Sequence, residues 1–211
     1  MELENKKINF LGDSITQGCC ATSPELGFVD VMKEKYALAA ARNYGIGGTR
    51  IARQRIPSEE PLFDLYFASR VAQMDADADI IIVFGGTNDH GHGDAPFGND
   101  GDRTVDSFCG ACHVLYQKLL EKYPLAKIVV LTPLHRAEEG RGDGIWLKDY
   151  VNQIKKTAAK YDLPVLDLYE TSAIRADIPE IAEKLTTDGL HPNDEGHAIL
   201  AEEIGEFLKT L

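Results

Sequence analysis

No run in this 211-residue chain is apolar for long enough to cross a bilayer, which takes roughly 20 consecutive residues. The N-terminus also lacks the basic, apolar and small-residue zones of a secretory leader; Met1-Glu2-Leu3-Glu4-Asn5-Lys6-Lys7 runs straight into an apolar strand. Cysteine is scarce: Cys19 and Cys20 adjoin, Cys109 and Cys112 lie close, and neither pair looks like a secreted disulfide framework. These absences predict a cytoplasmic protein with free thiols. Positive charge is short as well. Lys and Arg number 22 against 34 Asp and Glu, a formal net charge of −12 spread along the chain, which argues against a nucleic-acid partner. Internal repeats and low-complexity blocks are missing, and so is the Gly-x-Ser-x-Gly pentapeptide of an α/β-hydrolase nucleophile elbow.

What remains is ordinary globular material, 44% hydrophobic and 27% charged, in a length that suits one domain spanning residues 1–211. Apolar runs of strand length occur at Ile8–Leu11, Arg42–Tyr44, Ile80–Phe84, Ile128–Leu131 and Val165–Leu168. The runs Ile80–Phe84 and Ile128–Leu131 are continuously apolar and rich in β-branched residues, as expected of parallel strands buried on both faces. Helical spacing predicts helices over Glu25–Ala39, Leu62–Met74, Thr104–Lys122, Gly144–Lys160 and Asn193–Leu211, with Asn193 as an N-cap after Pro192. Strands alternating with helices predict an α/β fold, a three-layer α/β/α sandwich around a five-stranded parallel sheet. Residues His90–Arg103, rich in Gly and Asp, read as a long loop of the functional or mobile kind.

Ligands of open α/β sheets bind beyond the carboxyl ends of the strands. Four short motifs fall at that edge: Gly12-Asp13-Ser14, Gly45-Ile46-Gly47-Gly48, Gly86-Thr87-Asn88-Asp89 and Asp188-Gly189-Leu190-His191. Together they supply the parts of acyl transfer. A serine hydroxyl needs a base to take its proton, and His191 is the candidate base for Ser14. Asp188 can accept from the imidazole Nδ1 and fix its tautomer. The N–H groups of Ser14 and Gly48 and the amide of Asn88 are suited to bind an oxyanion, and Gly48 admits close backbone approach.

In the order and spacing of these blocks the sequence resembles the SGNH (GDSL) hydrolase family over nearly its whole length. The resemblance implies a flavodoxin-like fold and metal-independent, cofactor-free hydrolysis of a small-molecule ester or thioester. It also implies a triad of Ser14, His191 and Asp188 with an oxyanion hole of Ser14, Gly48 and Asn88. Acetylated sugars, short acyl esters, lysophospholipids and thioesters all fall within it. The sequence has no obvious long apolar lid, which favours short acyl groups. A non-catalytic carbohydrate- or lipid-binding domain on the same scaffold is the main rival from another class.

Other residues have plainer readings. Asp13 and Asp89 satisfy backbone donors in their turns, and Gly45 and Gly47 serve theirs. Cys109-Gly110-Ala111-Cys112-His113 matches haem-attachment and redox patterns. Both cysteines nevertheless sit on the apolar stripe of a predicted helix, where they act as small hydrophobes. His90, His92 and Asp94 match no common zinc spacing and read as a solvated, substrate-facing loop. His135 and Arg136 either touch substrate or cap a turn. His197 reads as a packed histidine, and Trp146 as a core or pocket residue.

Overall fold

The structure is a computed structural model, and it describes residues 1–140 and 142–211. Five strands form one parallel sheet: β1 (Lys7–Gly12), β2 (Ala40–Gly45), β3 (Ile80–Phe84), β4 (Lys127–Leu131) and β5 (Val165–Leu166). They lie in the order β2-β1-β3-β4-β5. In register, Gly12 pairs with both Gly45 and Phe84, so three strands end level with one another. This order places a topological switch point between β1 and β3, where connections leave toward opposite faces and open a crevice.

The helices are α1 (Ser14–Gln17), α2 (Phe28–Lys35), α3 (Phe67–Arg70), α4 (Thr87–Gly91), α5 (Phe108–Lys122), α6 (Leu147–Lys160), α7 (Leu168–Thr171), α8 (Pro179–Leu185) and α9 (Asp194–Thr210). Alternate strand side chains face opposite ways. Ile8, Phe10, Ile80, Ile82, Val129 and Leu131 therefore pack against Phe28 and Met32 of α2 and Leu200, Ile204 and Leu208 of α9. Leu11, Ile81, Val83, Ile128 and Val130 pack against Phe67 of α3, Leu115 and Leu119 of α5 and Ile154 of α6. Each fully buried side chain of this size contributes about 1.5–3 kcal/mol of burial. This is the expected three-layer sandwich.

The five strands fall where the sequence puts them, except that β5 stops at Leu166. Asp167 there leaves the extended region (φ −83°, ψ 75°) and begins α7. Two predicted helices are broken. Gly27 is extended and separates a 3₁₀ turn at Pro24–Leu26 from α2. The segment predicted as Leu62–Met74 is a 3₁₀ turn at Pro61–Asp64, then α3, then a second 3₁₀ turn at Val71–Gln73. Helix α5 starts at Phe108 rather than Thr104, because the Ser107 hydroxyl accepts from Gly110 N–H and caps it. Asn193 caps α9 in the same way, as predicted, through Gly196 N–H.

Candidate active site

Ser14 opens α1 directly after β1, and Asp13 is the N-cap whose carboxylate accepts from Ile15 N–H at 3.1 Å. The sharp strand-to-helix turn brings the Ser14 hydroxyl to the carboxyl edge of the sheet. There it lies 2.9 Å from His191 Nε2, and His191 Nδ1 lies 2.7 Å from an Asp188 oxygen. A carboxylate only accepts, so Nδ1 carries the proton and Nε2 is left to accept from the hydroxyl. Asp188 is itself held in a tight turn, where its other oxygen accepts from Leu190 N–H (3.0 Å) and His191 N–H (2.8 Å). Burial works to raise the Asp188 pKa, but the bonds from His191 backbone and ring outweigh it and hold the carboxyl below its ordinary value. The structure thus brings together three residues that the chain separates by 177 positions.

The Gly47-Gly48 turn borders Ser14. A Cβ placed on Gly47 would lie 3.8 Å from Ser14 Cβ. Gly47 N–H is already used by Gln17 Oε1 at 2.7 Å, whereas no bond from the N–H of Ser14 or Gly48 forms among the described residues. Gly48 is required on two counts: its φ is +72°, and any Cβ would sit 2.8 Å from the Phe63 ring.

Two consecutive residues of α4 strap this turn in place. Asn88 Nδ2 donates to Thr49 O at 3.0 Å, and the Asp89 carboxylate accepts from Ile51 N–H (2.9 Å) and Ala52 N–H (2.8 Å). The Asn88 amide is oriented from its other end by His92 Nε2, 3.0 Å from Oδ1. His92 Nδ1 in turn faces the Arg50 guanidinium at 2.5 Å. Arginine only donates, so Nδ1 accepts and Nε2–H donates to Asn88. Partial burial and the charges of Arg50 and Arg136 push the His92 pKa down to about 4, which keeps the ring in that neutral tautomer. Among the described residues the chain Arg50–His92–Asn88–Thr49 leaves one N–H of the Asn88 amide unspent. Arg70 completes the frame by donating to Gly12 O (3.0 Å), Thr49 Oγ1 (3.1 Å) and Tyr44 O (2.5 Å), tying together the ends of β1, β2 and the Gly48 turn.

Sequence reading missed Arg50, His92 and Arg70 as parts of this frame. No local pattern links Arg50 to a histidine 42 positions away. The solvated reading of His90 is corrected, whereas Asp94 stays half-buried and partly open to solvent. His90 is buried with Nε2 2.8 Å from Glu139 O, and Asp94 accepts from Arg55 N–H and Ile56 N–H. His135 lies against the Glu139 carboxylate (2.6 Å) and stacks on Tyr169, while Arg136 donates to Thr87 O and Oγ1 beside Asn88. His197 is fully buried, stacked on Phe28, with its ring nitrogens near Phe28 N and Cys19 O, a packed histidine as read. Trp146 is 58% exposed and not a core residue. Cys109 and Cys112 are buried in α5, and burial raises both thiol pKa values.

Asp13 and Asp89 answer turn donors, as the sequence suggested, but at a cost. Burial drives the Asp13 pKa up to about 7 and that of Asp89 to about 6. A carboxyl that holds its proton more tightly folded than unfolded supports folding below its ordinary 3.8, and that support is lost as pH rises through 6 to 7. Asp13→Asn keeps an oxygen for Ile15 N–H and removes the titration. Its melting temperature is therefore expected to rise relative to wild type between about pH 4 and pH 8. Parallel melting curves at several pH values check this; a constant offset would refute it.

The profile of the GDSL-like Lipase/Acylhydrolase family matches residues 10–199. No curated protein matches the chain. Among solved structures, a protein from Lactobacillus plantarum is 30% identical over 98% of each chain, with a TM-score of 0.86. An acetyl xylan esterase, AlAXEase, is 22% identical over 95% of this chain and 98% of its own, at a TM-score of 0.65. A two-domain esterase active on acetylated mannans is 23% identical over 97% of this chain and 48% of its own, at 0.64. The matched span holds every one of the four sequence blocks and all five strands except the first residues of β1. The chain belongs to the GDSL-like lipase/acylhydrolase family of hydrolases.

Proposed function

We propose that this chain is a carboxylic ester hydrolase that removes short acyl groups, acetyl above all, from a hydroxyl-rich alcohol such as a carbohydrate. The observation that carries the catalytic part is the continuous hydrogen-bond chain from Ser14 Oγ through His191 to Asp188, at 2.9 and 2.7 Å. In this reading Ser14 Oγ attacks the ester carbonyl carbon while His191 Nε2 takes the hydroxyl proton. The oxyanion receives the N–H groups of Ser14 and Gly48 and the unspent N–H of Asn88. His191 returns the proton to the leaving alkoxide as the carbon–oxygen bond breaks, giving an acyl-Ser14 ester. Water then attacks that ester, with His191 again taking and returning a proton, and the acid leaves.

The substrate part has two supports. The neighbours named for acetyl xylan and acetylated mannans share this fold over nearly the whole chain. A recess of about 280 Å³ beside α4, lined by His90, Gly91, Arg136, Glu138 and Gly140, lies outside the triad but borders it through Arg136, which donates to Thr87 next to Asn88; its polar wall suits hydroxyl groups better than a long alkyl chain.

Two measurements test the proposal. A fluorophosphonate should label the protein on the peptide that contains Ser14, and labelling elsewhere or not at all would reject the nucleophile. Among p-nitrophenyl esters kcat/KM should fall from acetate to octanoate; a preference for octanoate would reject the short-acyl assignment in favour of a lysophospholipase or thioesterase.

A further inference from the structure

Immediately after α1 the chain makes a tight turn that carries Cys19 and Cys20. Cys19 is pinned at both ends of its peptide: its N–H donates to Ser14 O at 2.9 Å, and its carbonyl lies 3.2 Å from His197 Nε2. Cys20 has φ +71°, in the left-handed region that residues with a side chain seldom occupy. Neighbouring side chains of an extended chain point to opposite sides. This turn instead sets the two thiols side by side, Sγ to Sγ 3.7 Å. A ring nitrogen of His191 completes the group, with all three ligand atoms within 4.8 Å of one another. Among the described residues no other set of three metal-ligating side chains gathers in this way. Strained backbone held beside an active site points to a function for the strained residue.

The geometry points to an inhibitory site for a thiophilic divalent cation, Zn²⁺ or its analogue Cd²⁺, formed by Cys19, Cys20 and His191. Two thiolates bound at about 2.3 Å around a tetrahedral ion stand about 3.8 Å apart, close to the spacing already present. The imidazole has to close by about an ångström, within reach of side-chain rotation. Sulfur and imidazole ligands favour Zn²⁺ and Cd²⁺ over Mg²⁺ or Ca²⁺. On binding, each thiol gives its proton to solvent, the imidazole binds neutral, and water fills the fourth position. No electron changes hands. Whichever ring nitrogen of His191 binds the ion, it surrenders its bond to Ser14 or to Asp188, so the hydrogen-bond chain is broken. The inhibitory consequence rests on the catalytic reading above; the binding does not.

The test is a Cd²⁺ titration of the whole chain, followed at the ultraviolet thiolate-to-cadmium charge-transfer band and, in parallel, by p-nitrophenyl acetate turnover. Wild type should take up one Cd²⁺ with growth of the band and lose most of its turnover, which EDTA should restore, while Mg²⁺ does nothing. The double variant Cys19→Ser/Cys20→Ser should hydrolyse acetate at the wild-type rate, show no band and ignore Cd²⁺. His191→Gln keeps both thiols and guards against misfolding of the double variant. It should bind Cd²⁺ at least about tenfold more weakly, because even the outer-shell partners of a metal site are worth ten- to hundredfold. Equal affinity in wild type and either variant overturns the site, and binding that leaves turnover unchanged overturns the inhibition. A metal-free wild type without esterase activity defeats the catalytic reading and the inhibition together, whereas the cadmium band still decides whether the site exists.

Discussion

Ser14→Ala is expected to lower kcat/KM for p-nitrophenyl acetate by a factor on the order of 10⁶, the scale seen when a triad nucleophile is removed. The loss has a specific origin. Without Oγ no acyl-enzyme forms, and His191 can only assist water, a reaction that gains from the oxyanion donors alone. Stability should scarcely change. Ser14 is only 8% exposed, but among the described residues its hydroxyl bonds to His191 alone, and its backbone carbonyl keeps the bond from Cys19 N–H. Alanine also suits the first turn of α1. Turnover and a thermal melt on the same preparation check both halves. An active variant would reject Ser14 as nucleophile, and an inactive one that has also unfolded would not count in its favour.

The sheet was legible because its signal is local. Ile80–Phe84 and Ile128–Leu131 are buried on both faces, so every position is apolar and no partner need be known. Helices α5, α6 and α9 were legible for the same reason, since three or more turns give periodicity room to show. The one-turn helices α1, α4 and α7 are too short for any periodic pattern, and the first two are the pieces that carry Ser14 and Asn88. Helix α8 begins on Pro179 and buries only Leu185, so it leaves no apolar stripe. At the candidate site the residues proposed to touch reacting atoms stand in short motifs, each readable from composition and spacing. The residues that hold them do not. Arg70 serves three carbonyl or hydroxyl oxygens from two strand ends and a turn, and His92 acts through Arg50 and Asn88. Such contacts are set by tertiary packing, and nothing in the neighbouring sequence announces them.

That supporting chain leads to the second large effect. Asn88→Ala should reduce kcat by about 10²–10³ with little change in KM, the cost of one oxyanion donor that acts only as charge develops. Asn88→Asp is expected to be at least as impaired, despite its matching shape. Its carboxylate still accepts from His92 Nε2–H, but it cannot donate to Thr49 O, and it sets a negative charge where the oxyanion forms. His92→Ala tests whether the histidine acts through the asparagine. Loss of the bond to Oδ1 lets the amide rotate, so kcat should fall by about tenfold, the scale of an orienting partner. A merely structural role would add the same loss in any background. If His92 works by orienting Asn88, removing it from Asn88→Ala should cost nothing further, because the group it orients is already gone. Steady-state kinetics of the two single variants and the double variant close the cycle. Additive losses would show that His92 does not act through Asn88, and a wild-type kcat in Asn88→Ala would remove the asparagine from the oxyanion hole.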